Sequence, residues 1–390
     1  MYGGPQQPDF ISTIVDLTGI EHCPDLNGWH LKQLCFDDST INWHDNDHRS
    51  SSYFTPVESQ RTNWVTLTEH LVTEINRSNS GSIPLTAARI EFAPSSGGST
   101  RYTATALKEV IVAAGAIQSP ALLQLSGIGD SSLLSSLGIE TVLNMRGIGR
   151  NVQEQTMNSL GAGDNFDYGG NGPSDCIAYP NLYQVFGWKL ETVVSRTIEI
   201  YEVQAGLILD GNAPVVKLFY DTGYPNDIGI DLWQLLPFSR GNVSITTNDP
   251  FTKPTMNVNH LGVDWDFDVQ IGSARLARRI IDSSPLSPLS TGKTNPGTTV
   301  VPNTNGDYGS DASWKSWILE PSAGFSAVSH PIGTAAMMRQ YLGGVVDASL
   351  EIYNTTNVRV VVDASILPMQ VSAHLSAKKG AADIIKAAAN

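Results

Sequence analysis

Cysteine is scarce in this chain, with three among 390 residues. Cys23, Cys35 and Cys176 lack the paired spacing of a zinc site, so no structural metal is expected. Cys23 and Cys35 can bridge each other, or one can pair outside this chain. Basic residues are outnumbered, 24 Lys and Arg against 38 Asp and Glu, for a net charge of −14. A nucleic-acid surface needs a clustered basic face, so that partner is not expected. Charged residues make up only 16% and hydrophobic residues 41%, a balance unlike that of a disordered chain. No apolar run reaches the ~18 residues of a membrane span, and the most hydrophobic patch, Val110 to Ala114, is only strand-length. The opening Met1-Tyr2-Gly3-Gly4-Pro5 is neither basic nor apolar, so no signal peptide is expected within it. Repeats and low-complexity tracts are also missing. The sequons at Asn76, Asn242 and Asn354 are no more than chance gives and leave the compartment open.

What is present suits two or three domains with ample core material. Residues 1 to about 60 are polar and turn-rich. His44 and His48 lie four apart, but the Asn/Asp-rich stretch around them is a poor helix and reads as a solvated loop rather than a metal pair. Trp64 to Leu67 and Leu71 to Ile75 read as strands, and Ala87 to Phe92 with Arg101 to Thr105 as hairpin arms. Glu109 to Ala114 reads as a buried strand ending in Gly115, with a helix from near Ser119-Pro120. Strand, glycine and helix in succession make a place where backbone approaches a ligand. Val215 to Tyr220, Leu232 to Phe238 and Asn242 to Thr246 are further strand candidates. Phe267, Ile271, Ala274, Ala277 and Ile281 share one face of a helix over 266–281. The Ser/Pro/Gly/Thr-rich 283–302 reads as a long loop. Val358 to Val362 reads as a strand and Ala373 to Ala389 as a helix.

Two of the eight histidines stand apart. His330 precedes the small-residue segment Pro331-Ile332-Gly333-Thr334-Ala335-Ala336, and His374 follows the stretch from Val362 to Ser372. Small residues beside a lone histidine allow close approach of a flat ligand. Spacing alone favours a structural role for both.

Longer motifs change that weighing. Gly115-Ala116-Ile117-Gln118-Ser119-Pro120-Ala121-Leu122-Leu123-Gln124-Leu125-Ser126-Gly127-Ile128-Gly129 matches a signature of the glucose-methanol-choline (GMC) oxidoreductases at every position. Gly149-Arg150-Asn151-Val152-Gln153-Glu154-Gln155 resembles that family's Gly-x-Asn-Leu-x-Asp-His/Gln stretch. Pro237-Phe238-Ser239-Arg240-Gly241 with Asp249-Pro250 resembles its Pro-x-x-Arg-Gly…Asp-Pro segment. His330-Pro331 and Asp363…His374 resemble its C-terminal blocks. The wording around Phe219 to Gly223 and Trp233 to Gly241 is most similar to the glucose oxidase and flavin glucose dehydrogenase branch.

The resemblance implies an FAD enzyme that oxidises a CH–OH group of an alcohol or sugar, with oxygen or another electron acceptor. It implies that His330 takes the hydroxyl proton and that His374 orients the substrate. It also implies that Val72 lies by the adenine, that Gly115 gives close approach near the phosphate and ribityl groups, and that Asp363, Ala364 and Ser376 neighbour the flavin. The expected fold is α/β. It comprises a partial FAD-binding domain over 56–150 and 331–390, and an α+β substrate domain with an antiparallel sheet over 151–330. Residues 1–55 are expected to form a substrate-domain or loop segment. Secretion is suggested by the resemblance alone.

Departures temper these expectations. The family's Gly-x-Gly-x-x-Gly element, which holds the FAD pyrophosphate at a helix N-terminus, is absent from these residues, as from an N-terminally truncated form. Arg359 to Asp363 runs one residue longer than the family's strand, and the helix after His374 is about two turns short. Ser326 and Val328 stand where glucose-type members carry Arg and Asn, so glucose is not the expected substrate. Three readings stand: a portion of an oxidoreductase, a redox-neutral relative such as a hydroxynitrile lyase, and a flavin-free remnant that binds a ligand or partner.

Overall fold

A computed structural model describes residues 7–23, 33–36, 41–42, 47–48, 60–78, 83–164, 176–187, 199–221, 227–303, 308–361 and 364–370. The largest sheet follows from period-2 alternation in three adjacent strands. Along Thr156–Asp164, Val216–Asp221 and Asp227–Gln234, the even positions Leu160, Leu218, Tyr220, Ile228, Ile230 and Leu232 are buried. Their odd neighbours Met157, Ser159, Lys217, Phe219, Asp231 and Trp233 share the opposite face. Register sets Trp233 between Met157 and Lys217, and Asp231 between Ser159 and Phe219. The sheet continues past Val216–Asp221 through Cys176–Ala178 and Gln33–Phe36 to Glu21–His22, while Ser290–Asn295 and Ser326–Ala327 both pair with Thr156–Asp164. Every pairing in it is antiparallel except Glu21–His22 with Gln33–Phe36.

The even face is covered by the helix Asp264–Asp282, whose Phe267, Ile271, Ala274, Ala277 and Ile281 are all buried. Each large apolar side chain buried there stabilises the layer by about 1.5–3 kcal/mol. A buried polar seam runs between helix and sheet. Gln270 donates to Asn158 at 2.7 Å and Thr156 donates to Gln270 at 3.0 Å. Asp266 accepts from Gln234 Nε2 (3.1 Å) and from the amides of Phe238 and Ser239, both at 2.8 Å. Burial pushes the Asp266 carboxyl pKa up, and those donors partly offset the shift. The seam thus fixes the turn that carries Arg240.

A second core gathers Ile75, Val112, Leu123, Ile128, Val345 and Val358. Around it lie the antiparallel strands His70–Arg77, Ala87–Pro94 and Tyr102–Thr105 and the parallel pair Val110–Val112 and Val358–Val360. The helix Gly115–Leu125 follows the first strand of that pair. Arg150–Val152 pairs with Gly241–Ser244, which also pairs with Thr255–Asn257. Gly149 has φ +76°, and a Cβ there would lie 2.1 Å from Val243 O, so only glycine lets the two strands meet.

The α/β architecture expected from sequence is present, with several local corrections. Trp64 to Leu67 is exposed and forms no strand, because no strand among the described residues pairs with it to cover its apolar residues. The helix expected near Ser119 begins at Gly115, leaving Pro120 inside it. Pro120 cannot donate to Ala116 O, and the Thr334 hydroxyl supplies that bond at 2.7 Å. The expected loop over 283–302 contains the strand Ser290–Asn295, which gains its hydrogen bonds from the edge of the main sheet. The strand read over 232–238 ends at Gln234, two residues before Leu236 turns to φ +52°. Cys23 and Cys35 are bridged, with Cα atoms 5.1 Å apart, and Cys176 is buried. His44 and the C-terminal helix read over 373–389 lie outside the described residues. Among the described residues, no helix is long and apolar enough to cross a membrane, and no cluster of side chains suits a metal ion.

Replacing Asp266 by Ala strands three buried donors. Urea unfolding should show a loss of about 3 kcal/mol, and a loss below about 1 kcal/mol would contradict this account of the seam.

Candidate active site

His330 sits where the backbone is strained. Ser329, just before it, has φ +64°, a conformation that costs a non-glycine residue about 1–2 kcal/mol. The buried carboxylate of Glu154 holds that turn in place. It accepts the backbone N–H of His330 at 2.9 Å and of Gln155 at 3.1 Å, and bonds the backbone of Val328 as well. Burial pushes the Glu154 carboxyl pKa up, and these bonds counteract it. From the other side, Gln370 Nε2 donates to His330 O at 2.8 Å, while Gln370 N donates to Gln153 Oε1 at 3.1 Å.

The imidazole is oriented as firmly as its backbone. Nδ1 lies 3.1 Å from Gln155 Oε1. An amide oxygen only accepts, so this contact places the ring proton on Nδ1 and leaves the lone pair on Nε2. One side of the ring meets Trp233 edge-on, with centroids 5.4 Å apart, and the residue stays open to solvent on the other. Lys217 Nζ stands 4.5 Å over the Trp233 ring and 4.0 Å over that of Phe219. Partial burial, and then the Lys217 charge, push the His330 pKa below its ordinary value. On the same sheet face, Ser159 Oγ donates to Asp231 at 2.5 Å, and burial raises the Asp231 pKa.

Pro331 leads from this histidine to a cavity of about 590 Å³, lined also by 114–118, Lys253, Pro254 and Met256. That volume is in the range of small-molecule sites. Gly115 has φ +82°, with open space where a Cβ would stand. Among the described residues no side chain caps the helix at Ala114, and its first turn carries no acid. The positive end of a helix, a lysine and a glycine without side-chain bulk together suit an anionic, phosphate-bearing group.

Gly115 therefore lines this cavity, and His330 borders it through Pro331. Ala364 is tied to the same segment, its carbonyl accepting from Gly333 N at 3.2 Å. Val72 lies elsewhere, in a groove of about 250 Å³ with Ile75, Ile90, Val110 and Ile111. Asp363, His374 and Ser376 lie outside the described residues. The residues that present His330, namely Gln153, Glu154, Gln155 and Gln370, carry no local sign of that work. The run 149–155 flagged the first three only as a motif.

Comparison with known proteins agrees with this architecture. GMC oxidoreductase sequence profiles match residues 39–157 and 237–379. The chain is 33% identical over 384 residues to the GMC oxidoreductase family protein Mala s 12 of Malassezia sympodialis, covering 88% of this chain and 59% of that protein. It is 32% identical to glucose oxidase 1 of Penicillium expansum, over 68% of this chain and 45% of the enzyme. An FAD-dependent oxidoreductase from Chaetomium thermophilum superimposes with a TM-score of 0.85 at 22% identity, over 100% of this chain and 73% of that one. The chain belongs to the GMC oxidoreductase family, whose members bind FAD. It spans roughly half the length of these two curated relatives.

Glu154→Gln would replace an acceptor of backbone N–H groups with a side chain that also donates. Hydrogen exchange at the His330 amide should accelerate by about tenfold or more. Unchanged protection at that amide would remove Glu154 from this role.

Proposed function

We propose that this chain forms the substrate side and part of the cofactor side of an FAD-dependent oxidoreductase acting on a CH–OH group of an alcohol or sugar. The observation that carries the reading is the placement of His330: Nδ1 against Gln155 Oε1, which assigns the lone pair to Nε2, and Pro331 on the wall of the Gly115 cavity. In this reading Nε2 takes the hydroxyl proton of the substrate. A bound flavin would supply the two-electron oxidant for the same carbon, with oxygen or another compound as the final acceptor. Gly115 and Ala364, with Val72 at the adenine end, are the described residues assigned to the cofactor, and Asp363, Ser376 and the substrate-orienting His374 complete the set. Residues 56–150 and 331–390 serve the cofactor, and 151–330 the substrate.

The reading places the pyrophosphate cradle outside these 390 residues. Its support is the parallel pair Val110–Val112 and Val358–Val360, which has no third strand among the described residues and leaves Ile111 47% exposed. Glucose is not assigned as the substrate, since Ser326 and Val328 offer neither the guanidinium nor the amide of glucose-type members.

The test starts from the visible spectrum of the purified chain after incubation with FAD and removal of free cofactor, repeated with the dinucleotide-binding segment of a relative added. Flavin should be retained at least in the second case and bleached anaerobically by an alcohol or sugar. His330→Ala should then slow bleaching by ~10²-fold or more. An unchanged rate removes His330 as the base, and a colourless protein in both cases overturns the flavin reading. Because the base works only when neutral and its pKa is depressed, the rate should fall on acidification only below the usual histidine range. A limb at or above that range would contradict the assigned environment.

A further inference from the structure

The sequons Asn76-Arg77-Ser78, Asn242-Val243-Ser244 and Asn354-Thr355-Thr356 are equivalent as motifs, and the fold separates them. Asn242 lies in the middle strand of its sheet, opposite Arg150 on one side and Asn257 on the other. Its Nδ2 donates to Ser244 Oγ at 3.1 Å, so the amide and the hydroxyl of that sequon occupy each other. Asn76 is half-buried in the strand His70–Arg77, opposite Arg89, whose Nε donates to Asn76 Oδ1 at 3.2 Å. Asn354 differs from both. It stands exposed at φ +63° in the turn ahead of Val358–Val360, a left-handed conformation that asparagine adopts more readily than most residues. The backbone of the turn is fixed, with Leu85 N donating to Asn354 O at 2.8 Å and Thr356 N to Leu85 O at 2.9 Å. Among the described residues the side-chain amide of Asn354 meets no hydrogen-bond partner. A second, independent observation concerns the compartment. Cys23 and Cys35 are bridged and buried, and structural disulfides belong to oxidising surroundings such as the secretory pathway.

We propose that Asn354 is an N-glycosylation site, modified by an oligosaccharide from a lipid-pyrophosphate donor as the chain enters that compartment. In the transfer, Asn354 Nδ2 bonds to the anomeric carbon of the sugar and loses one proton. The bond from that carbon to the pyrophosphate oxygen breaks, and the lipid pyrophosphate leaves with the electron pair. Transfer precedes folding, so a glycan persists in the native protein only where the fold has room for a bulky, hydrated group. At Asn354 it projects into solvent from a turn whose backbone bonds stay intact. At Asn242 it would displace the Ser244 contact inside a three-stranded sheet. The inference is independent of the role of His330.

The full chain, placed behind a cleavable signal sequence, would be expressed in a eukaryotic secretory host. Secreted and cell-retained protein would each be treated with peptide N-glycosidase in heavy-oxygen water, which converts every glycosylated asparagine to an isotope-labelled aspartate, and then read by peptide mass spectrometry. The label should appear at Asn354 in most secreted chains and at Asn242 in none. Asn354→Gly, which suits the positive φ and lacks the amide, should remove one glycan from the electrophoretic mobility. Thr356→Ser should keep the label and Thr356→Ala should abolish it. Because transfer precedes folding, the retained protein answers the question even where no chain is secreted. An unlabelled Asn354 in the secreted protein, or in the retained protein where none is secreted, overturns the proposal, as does a label that survives Thr356→Ala.

Discussion

The site depends on one short run of buried polar residues, Gln153-Glu154-Gln155. Gln153 exchanges backbone hydrogen bonds with Ile332 at 3.2 and 3.0 Å, donates its side-chain amide to Pro237 O, and accepts from Gln370 N. Glu154 holds the amides at 155 and 330, and Gln155 holds the imidazole. Three consecutive residues thus connect four chain segments that are distant in sequence. Such a network is all-or-none in its energetics, because in a low-dielectric interior each unmatched member costs more than a matched one contributes. That is why the histidine can have an open edge and still hold one orientation.

How much of this was legible in the sequence depended on the range of the interaction involved. The helix over 264–282 was legible because its five apolar residues repeat at 3.6 and all are buried. The hairpin of Ala87–Pro94 and Tyr102–Thr105 was legible because strand alternation and a Gly-Gly turn agree locally. Ser290–Asn295 was not, since its six residues carry no apolar pattern and become a strand only where the edge of Thr156–Asp164 accepts them. Helix initiation at Gly115 was hidden for the same reason. Pro120 looks like a first-turn residue until Thr334, more than two hundred positions away, satisfies the carbonyl it leaves open.

The site residues divide along the same line. Family motifs located His330 and Gly115, while composition suggested only an acidic chain of net charge −14. Locally the structure sets a lysine at two places near the site residues. Lys217 stands beside the histidine and Lys253 at the cavity of Gly115. Net charge governs long-range encounter and is screened over about 10 Å in ordinary salt, whereas these lysines act within one pocket width. The net charge of the chain therefore says little about the field inside one pocket.

Backbone strain shows where folding energy is committed. Asn151, Leu236 and Ser329 all have positive φ without being glycine, and each lies beside a site connection. Asn151 donates to the carbonyls of Gly333 and Pro368 and accepts from Arg240. Leu236 precedes the turn fixed by Asp266, and Ser329 precedes His330. At roughly 1–3 kcal/mol each, the three conformations together cost several kcal/mol, a large fraction of the net stability of a domain. They persist because each is fixed by buried hydrogen bonds on both sides. Ser329 is bonded directly to His330, and Asn151 and Leu236 flank segments that the Gln153 to Gln155 run holds, so the strain and the polar network serve one presentation of a single imidazole.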